Sequence, residues 1–135
     1  MKVDGSCICG KIQFEAVVDA RETCICHCLD CQSLSGTAFR VSAPARCEEL
    51  KMLQGTPAVF VKTATSGNRR IQAFCGECGT ALYAMPLVDP KIVNIRVGTL
   101  RQRNELVPRK QIWPRSALRW MPELDHLRSW DEEQV

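Results

Sequence analysis

The sequence has no long hydrophobic run. Nothing in it approaches the roughly 18 consecutive apolar residues that a membrane-spanning helix requires, so no such helix and no membrane partner are expected. The first seven residues, M-K-V-D-G-S-C, lack the apolar core of a secretory signal, and a cytoplasmic location is the expectation. There is no lysine run and no basic tail, and the arginines are scattered. A net charge of +3 with a pI near 8.4 is too mild to announce a nucleic-acid partner. Repeats, linkers and low-complexity tracts are absent too, and 135 residues suit one domain, taken as 1–135. No long amphipathic helix is written into the pattern.

What the chain has in excess is cysteine. There are nine, an odd number that cannot all pair as disulfides within one chain. In a reducing compartment, clustered cysteines favour metal over disulfide. The densest stretch is Thr23 to Thr37, T-C-I-C-H-C-L-D-C-Q-S-L-S-G-T, with Cys24, Cys26, Cys28 and Cys31 around His27. Thiolates at this density bind a soft or borderline metal, do redox chemistry, or both.

Short strands with glycine and proline punctuation fill the rest. Ile12, Phe14, Ala16 and Val18 alternate with polar residues, as a half-buried strand does. Strands are predicted at 37–42, 50–53, 58–63, 71–74, 81–85 and 91–97, with a loop at 44–49, a turn at 54–57 and a closing strand near Ile112 and Trp113. Gly5 to Gly10 reads as a tight turn, and 30–35 as a helical turn before Gly36. A short helix is predicted from Pro122 onward. The fold class is therefore all-β.

Cys75-Gly-Glu-Cys78-Gly79 is a knuckle whose turn aims two sulfurs at one ion. Cys7 and Cys9 supply a second pair. With 65 residues between Cys9 and Cys75, metal there would close a long loop and couple binding to folding. The spacing C-x-C-x-x-C at Cys26, Cys28 and Cys31 offers three thiolates and leaves a fourth position. That position is open to substrate, or Cys24 fills it and makes an inert four-cysteine site. A disulfide within the cluster, acting as a redox switch, is a third possibility. His27 alternates with the thiols and reads as a supporting or surface residue, His126 as structural or exposed, and Cys47 as a free thiol. Trp113, Trp120 and Trp130 read as packing residues.

Three segments together, G-S-C-I-C-G-K-I-Q-F-E-A, C-H-C-L-D-C-Q-S-L-S-G-T-A-F and S-G-N-R-R-I-Q-A-F-C-G-E-C-G-T-A-L, with R-V-G-T-L at 96–100, resemble the glutathione-dependent formaldehyde-activating enzyme family, which includes centromere protein V. The resemblance runs from about Gly5 to Leu100. It implies a β-tent of short antiparallel sheets around zinc knuckles. It implies two zinc ions, one structural on Cys7, Cys9, Cys75 and Cys78, the other catalytic on Cys26, Cys28 and Cys31 with an open position. It implies a carbon–sulfur lyase joining formaldehyde and glutathione in S-hydroxymethylglutathione, or acting on a similar small thiol.

Zinc on three thiolates carries a net negative charge and is a weak Lewis acid, better suited to a soft thiol than to activating water. His27, Gln32 and Ser33 are candidates for proton transfer or carbonyl orientation. Arg40, Lys62, Arg69 and Arg70 are candidates for the glutathione carboxylates. The competing reading is a non-catalytic zinc module that binds a macromolecule. It predicts a closed four-cysteine second site.

Overall fold

In a computed structural model, which describes residues 1–133, two sheets pack around one core. The small sheet has the order β1-β2-β5, formed by β1 (Lys2–Ser6), β2 (Gln13–Val17) and β5 (Lys51–Gln54), all antiparallel. The large sheet has seven strands in the order β10-β3-β4-β9-β8-β7-β6. These are β3 (Cys24–Cys26), β4 (Arg40–Arg46), β6 (Ala58–Thr63), β7 (Arg69–Phe74), β8 (Ala81–Pro86), β9 (Ile92–Arg96) and β10 (Lys110–Ile112). The one α-helix among the described residues, α1 (Leu29–Ser35), follows β3 directly. The fold is all-β. One pairing departs from an antiparallel tent: β10 runs parallel to β3, with Lys110 opposite Cys24 and Ile112 opposite Cys26.

Alternation explains the core. Val3 on β1 and Phe14 and Ala16 on β2 point inward and are buried, while their neighbours face solvent. Phe14, Val18, Leu82, Val93, Ile95, Leu100 and Leu106 are the large apolar side chains at its centre. An isolated bridge at Val18–Ala45 links the end of β2 to β4 of the large sheet, and one at Gly5–Leu100 ties β1 to the segment after β9. Gly5 is required there: a Cβ on it would lie 2.3 Å from the Phe14 ring.

Several segments differ from the reading of the sequence. Residues 37–39, expected to open a strand, precede β4, which starts at Arg40. Lys2–Ser6 is a strand, although Gly5 and Ser6 are poor strand formers, because β2 pairs along its whole length. Residues 44–46 continue β4 instead of looping. Pro44 has no N–H to give, but β3 pairs β4 only as far as Ser42, so that side of Pro44 needs no donor. The C-terminal segment forms a 3-10 helix, Met121–His126, that carries Pro122 in its first turn and ends before Leu127. Nearly all of it is exposed, so no core face extends it.

The large sheet curls. Lys62 on β6, the strand at one edge, makes a 2.6 Å ion pair with Asp30 on α1, which grows out of β3 near the other edge. The helix thus ties β6 to the side of the sheet that carries β3. Trp113 turns the chain after β10 with φ 56°, and the 3-10 turn Pro114–Ser116 follows. Its Ser116 carbonyl accepts a 3.0 Å hydrogen bond from the Gln32 amide of α1.

Candidate metal centres and the cavity between them

The first cluster forms where two turns meet. The β1–β2 turn carries Cys7 and Cys9, and the β7–β8 turn carries Cys75 and Cys78. Each turn is closed by backbone bonds, Gly10 N–H to the Cys7 carbonyl at 3.0 Å and Gly79 N–H to the Cys75 carbonyl at 2.8 Å. Both glycines sit at positive φ, 78° and 76°, where a side chain is strained. The four sulfurs lie within 4.8 Å of one another. Sulfurs about 2.3 Å from a tetrahedral zinc stand roughly 3.8 Å apart. Cys7–Cys9 and Cys9–Cys75 are at 3.5 and 3.8 Å. The cluster pins the small sheet to the large one.

Electrostatics in this cluster are uneven. The Thr80 hydroxyl and backbone, then the Cys9 N–H, hold the Cys78 thiol down to about 5. For Cys9 the Lys11 N–H acts downward, but the hydrogen bond with Cys7, burial and the other sulfurs outweigh it and push the thiol up to about 12. The Ile12 N–H donates to the Cys7 sulfur at 3.2 Å. N–H donors aimed at sulfur favour thiolate, the form that binds metal.

The second cluster forms where β3 gives way to α1. Cys26 ends the strand. Cys28 is the N-cap of the helix, its sulfur accepting the Cys31 N–H at 3.3 Å. Cys31 is buried in the first turn. The three sulfurs lie within 4.8 Å of one another. Burial raises the Cys31 thiol to about 12, with Cys26 adding to it against the Arg40 charge. For Cys28, burial acts upward but the hydrogen bonds from Cys31 prevail, and its thiol is lowered. A strand-to-helix-cap turn is what folds C-x-C-x-x-C back on itself.

Cys24 does not join this cluster. Only the sulfurs of Cys26, Cys28 and Cys31 come within 4.8 Å of one another, because the turn at Cys28 folds the later thiols back toward Cys26. The Cys24 thiol donates to the Ile25 carbonyl at 3.3 Å. It lines a broad groove with Val18, Glu22, Pro44, Lys110 and Ile112. All nine cysteines are free. The two all-sulfur donor sets, without a disulfide or an intruding side chain, suit zinc.

His27 is buried. Its Nε2 lies 3.0 Å from the Gln111 side-chain oxygen, its ring centroid is 5.9 Å from that of Phe39 in a T-shaped arrangement, and its Nδ1 has no partner. Gln32 donates to the His27 carbonyl at 2.8 Å as well as to Ser116, so both residues tie the metal-binding turn to the C-terminal segment. Ser33 is exposed. His126, Trp113, Trp120 and Trp130 lie exposed on or near that segment. Cys47 starts a 3-10 turn remote from both clusters in the chain.

Beside the second cluster is a cavity of about 320 Å³. Leu34 of α1, Arg40, Phe60, Gln72, Phe74, Tyr83 and Arg96 line it. Arg96 is only 7% exposed. It donates to the Ser42 hydroxyl at 2.7 Å and the Gln72 side-chain oxygen at 3.1 Å, and its Nε has no partner. Burial, then the Arg40 charge, pull its guanidinium down to about 9, opposed by Cys31 and Cys26. It is charged at neutral pH. The sequence alone did not single out Arg96, because its partners are 24 and 54 positions away. Of the cations picked from sequence, Arg40 reaches the cavity, Lys62 is held by Asp30, and Arg69 and Arg70 do not line it.

Comparison with known proteins defines the class. Residues 2–116 match the model of the glutathione-dependent formaldehyde-activating enzyme family. This chain belongs to that family. It is 28% identical over 80 residues to an uncharacterized lyase of Schizosaccharomyces pombe. That match covers 59% of this chain and 55% of the yeast protein, so it spans about half the length of that relative. A crystal structure of a Rhodobacter sphaeroides protein shares the fold, with a TM-score of 0.63 at 19% identity over 80% of this chain and 98% of that one.

Proposed function

We propose that the chain is a zinc-dependent carbon–sulfur lyase acting on a glutathione adduct of the S-hydroxymethylglutathione type, or on a similar small thiol. The observation that carries this is the three-sulfur cluster with Cys24 outside it. Cys26, Cys28 and Cys31 would hold one ion, and Cys7, Cys9, Cys75 and Cys78 a structural one. Bound at the three-thiol site, zinc supplies a soft position that favours loss of a thiol proton.

The chain's own residues do the rest. The Cys31 N–H fixes the Cys28 sulfur, and the Gln32 bonds hold the turn's backbone, so the donors are set before substrate arrives. In the lyase direction the C–S bond of the adduct breaks, its electron pair stays on sulfur, and the hydroxyl proton leaves as the carbonyl forms. The reverse joins a thiolate to formaldehyde and returns a proton to the oxygen. A reducing cytoplasm, where free thiols persist, suits this chemistry. The alternative, a non-catalytic binding module, requires a closed four-cysteine second site, and the position of Cys24 argues against it.

The test follows formaldehyde and glutathione equilibrating with S-hydroxymethylglutathione, read by NMR exchange. Wild-type protein is expected to accelerate exchange, and Cys26→Ser to reduce it at least about a hundredfold. Exchange no faster than in buffer would overturn the assignment.

A further inference from the structure

Arg96 is a buried charge that no carboxylate answers. Burying a charge is costly unless it is paired. Its acceptors are neutral, the Ser42 hydroxyl and the Gln72 amide oxygen. Arg40 shares that Gln72 oxygen at 3.4 Å, so a second positive charge stands beside the first. Neither arginine makes an ion pair with a carboxylate among the described residues, where eight other cations do. Lys62, whose charge also reaches Cys28, is one of those eight and is held by Asp30.

The thiols supply the missing anion. Ala43, Ala45, Val93 and Ile95 turn one face of β4 and β9 into the core, so Arg40, Ser42 and Arg96 lie on the other. Arg40 is the cross-strand partner of Cys26, and Arg96 of Ser42. Such partners share a face, and long side chains reach their diagonal neighbours. The two guanidiniums and the three-sulfur cluster therefore belong to one face of the sheet. Cys31 and Cys26 hold the Arg96 charge up against burial and against Arg40 and Arg70.

Charge matching gives the pair a purpose. A divalent ion on three thiolates has a single net negative charge. A thiol that joins it and gives up its proton adds another. A half-buried site resists a second like charge unless cations stand by. Two guanidiniums balance both.

We propose that Arg40 and Arg96 are the counter-charges of the three-thiol centre, positioning residues that let a second negative charge enter when a thiol arrives there as thiolate. The inference deepens the lyase reading and rests on it. The arginines act through the charge at the centre and need not touch the rest of the incoming molecule. Their effect therefore extends to a thiol that has no other charged group.

The test uses protein carrying two cobalt(II) ions per chain and 2-mercaptoethanol, whose sulfur is its one ionisable group near neutral pH. Thiolate-to-cobalt absorption reports sulfur joining the ion, and the four-thiol cluster, already full, is not expected to respond. Arg96→Gln is expected to raise the half-saturating concentration at least about tenfold, the scale of one charge contact inside a protein. Arg96→Lys, which keeps the charge but not the guanidinium fork, is expected to stay within about threefold of wild type. If Arg96→Gln does not fold, the half-buried Arg40 gives the same comparison, with Arg40→Gln weakening binding at least about threefold and Arg40→Lys retaining it. A wild-type response that the Gln variants leave unchanged overturns the counter-charge role alone. So does a Lys variant that loses as much as Gln, because the role is then hydrogen bonding to Ser42 and Gln72. No response from wild-type protein overturns the thiol reading and this inference with it.

Discussion

One residue separates an open site from a shut one. Cys24 shares a strand face with Cys26 but stays behind when the chain turns into α1. Cys24→Ser is therefore expected to retain two zinc ions per chain by elemental analysis. Loss of one would return Cys24 to the metal. Cys78 gives a pH signature to the metal-free protein. Its folded-state thiol is held at about 5, against an ordinary 9.0. A depressed acid stabilises the fold fully above the ordinary value, and the contribution is lost as pH falls through the folded one. Urea midpoints of metal-free protein should rise from pH 5.5 to pH 8.5. A flat profile would show that the four-thiol cluster does not favour a thiolate. The thiol spacings that build both clusters are legible in the sequence, since each pair is local. That Cys24 stays outside the cluster is not, because parity along an extended strand places it with Cys26. Nor is Arg96, whose meaning depends on β4 and β7 arriving beside it.

Among the elements, α1 has the largest share in shaping the site. Seven residues make a marginal helix on their own. It is held by the Cys28 cap, by Gly36 in the left-handed conformation at its end, by Lys62 and by the two Gln32 bonds. Gln32→Ala leaves the His27 and Ser116 carbonyls without that donor and is expected to cost about 1–2 kcal/mol in chemical denaturation. A change within error would mean that the tail does not support the turn. At the β1–β2 pair, Gly5→Ala drives a Cβ into Phe14 and is expected to cost about 1–3 kcal/mol as overpacking, measured the same way. Strand β6 is legible to the residue because Pro57 and the Ser66-Gly67-Asn68 turn bracket it. Strand β1 and the end of β4 are hidden, since Gly5, Ser6 and Pro44 oppose strand locally and only their partners override them.

At the scale of the molecule, the Cys7/Cys9–Cys75/Cys78 cluster is a clasp between sheets. Closing a loop of this length by a cross-link is worth about 4 kcal/mol in chain entropy. Chelation should lower stability by at least that order, and coincident denaturation curves with and without chelator would deny the clasp. The all-β class and the order of its motifs are legible because strand punctuation is local. The curl that brings β6 to α1 and encloses the cationic cavity is not, because it is a property of seven strands together. The most direct test of the account as a whole compares wild-type protein with Cys28→Ser by elemental analysis and glutathione calorimetry. The account predicts that two zinc ions fall to one and that thiol binding is lost with the second. Unchanged glutathione binding in the variant would contradict it.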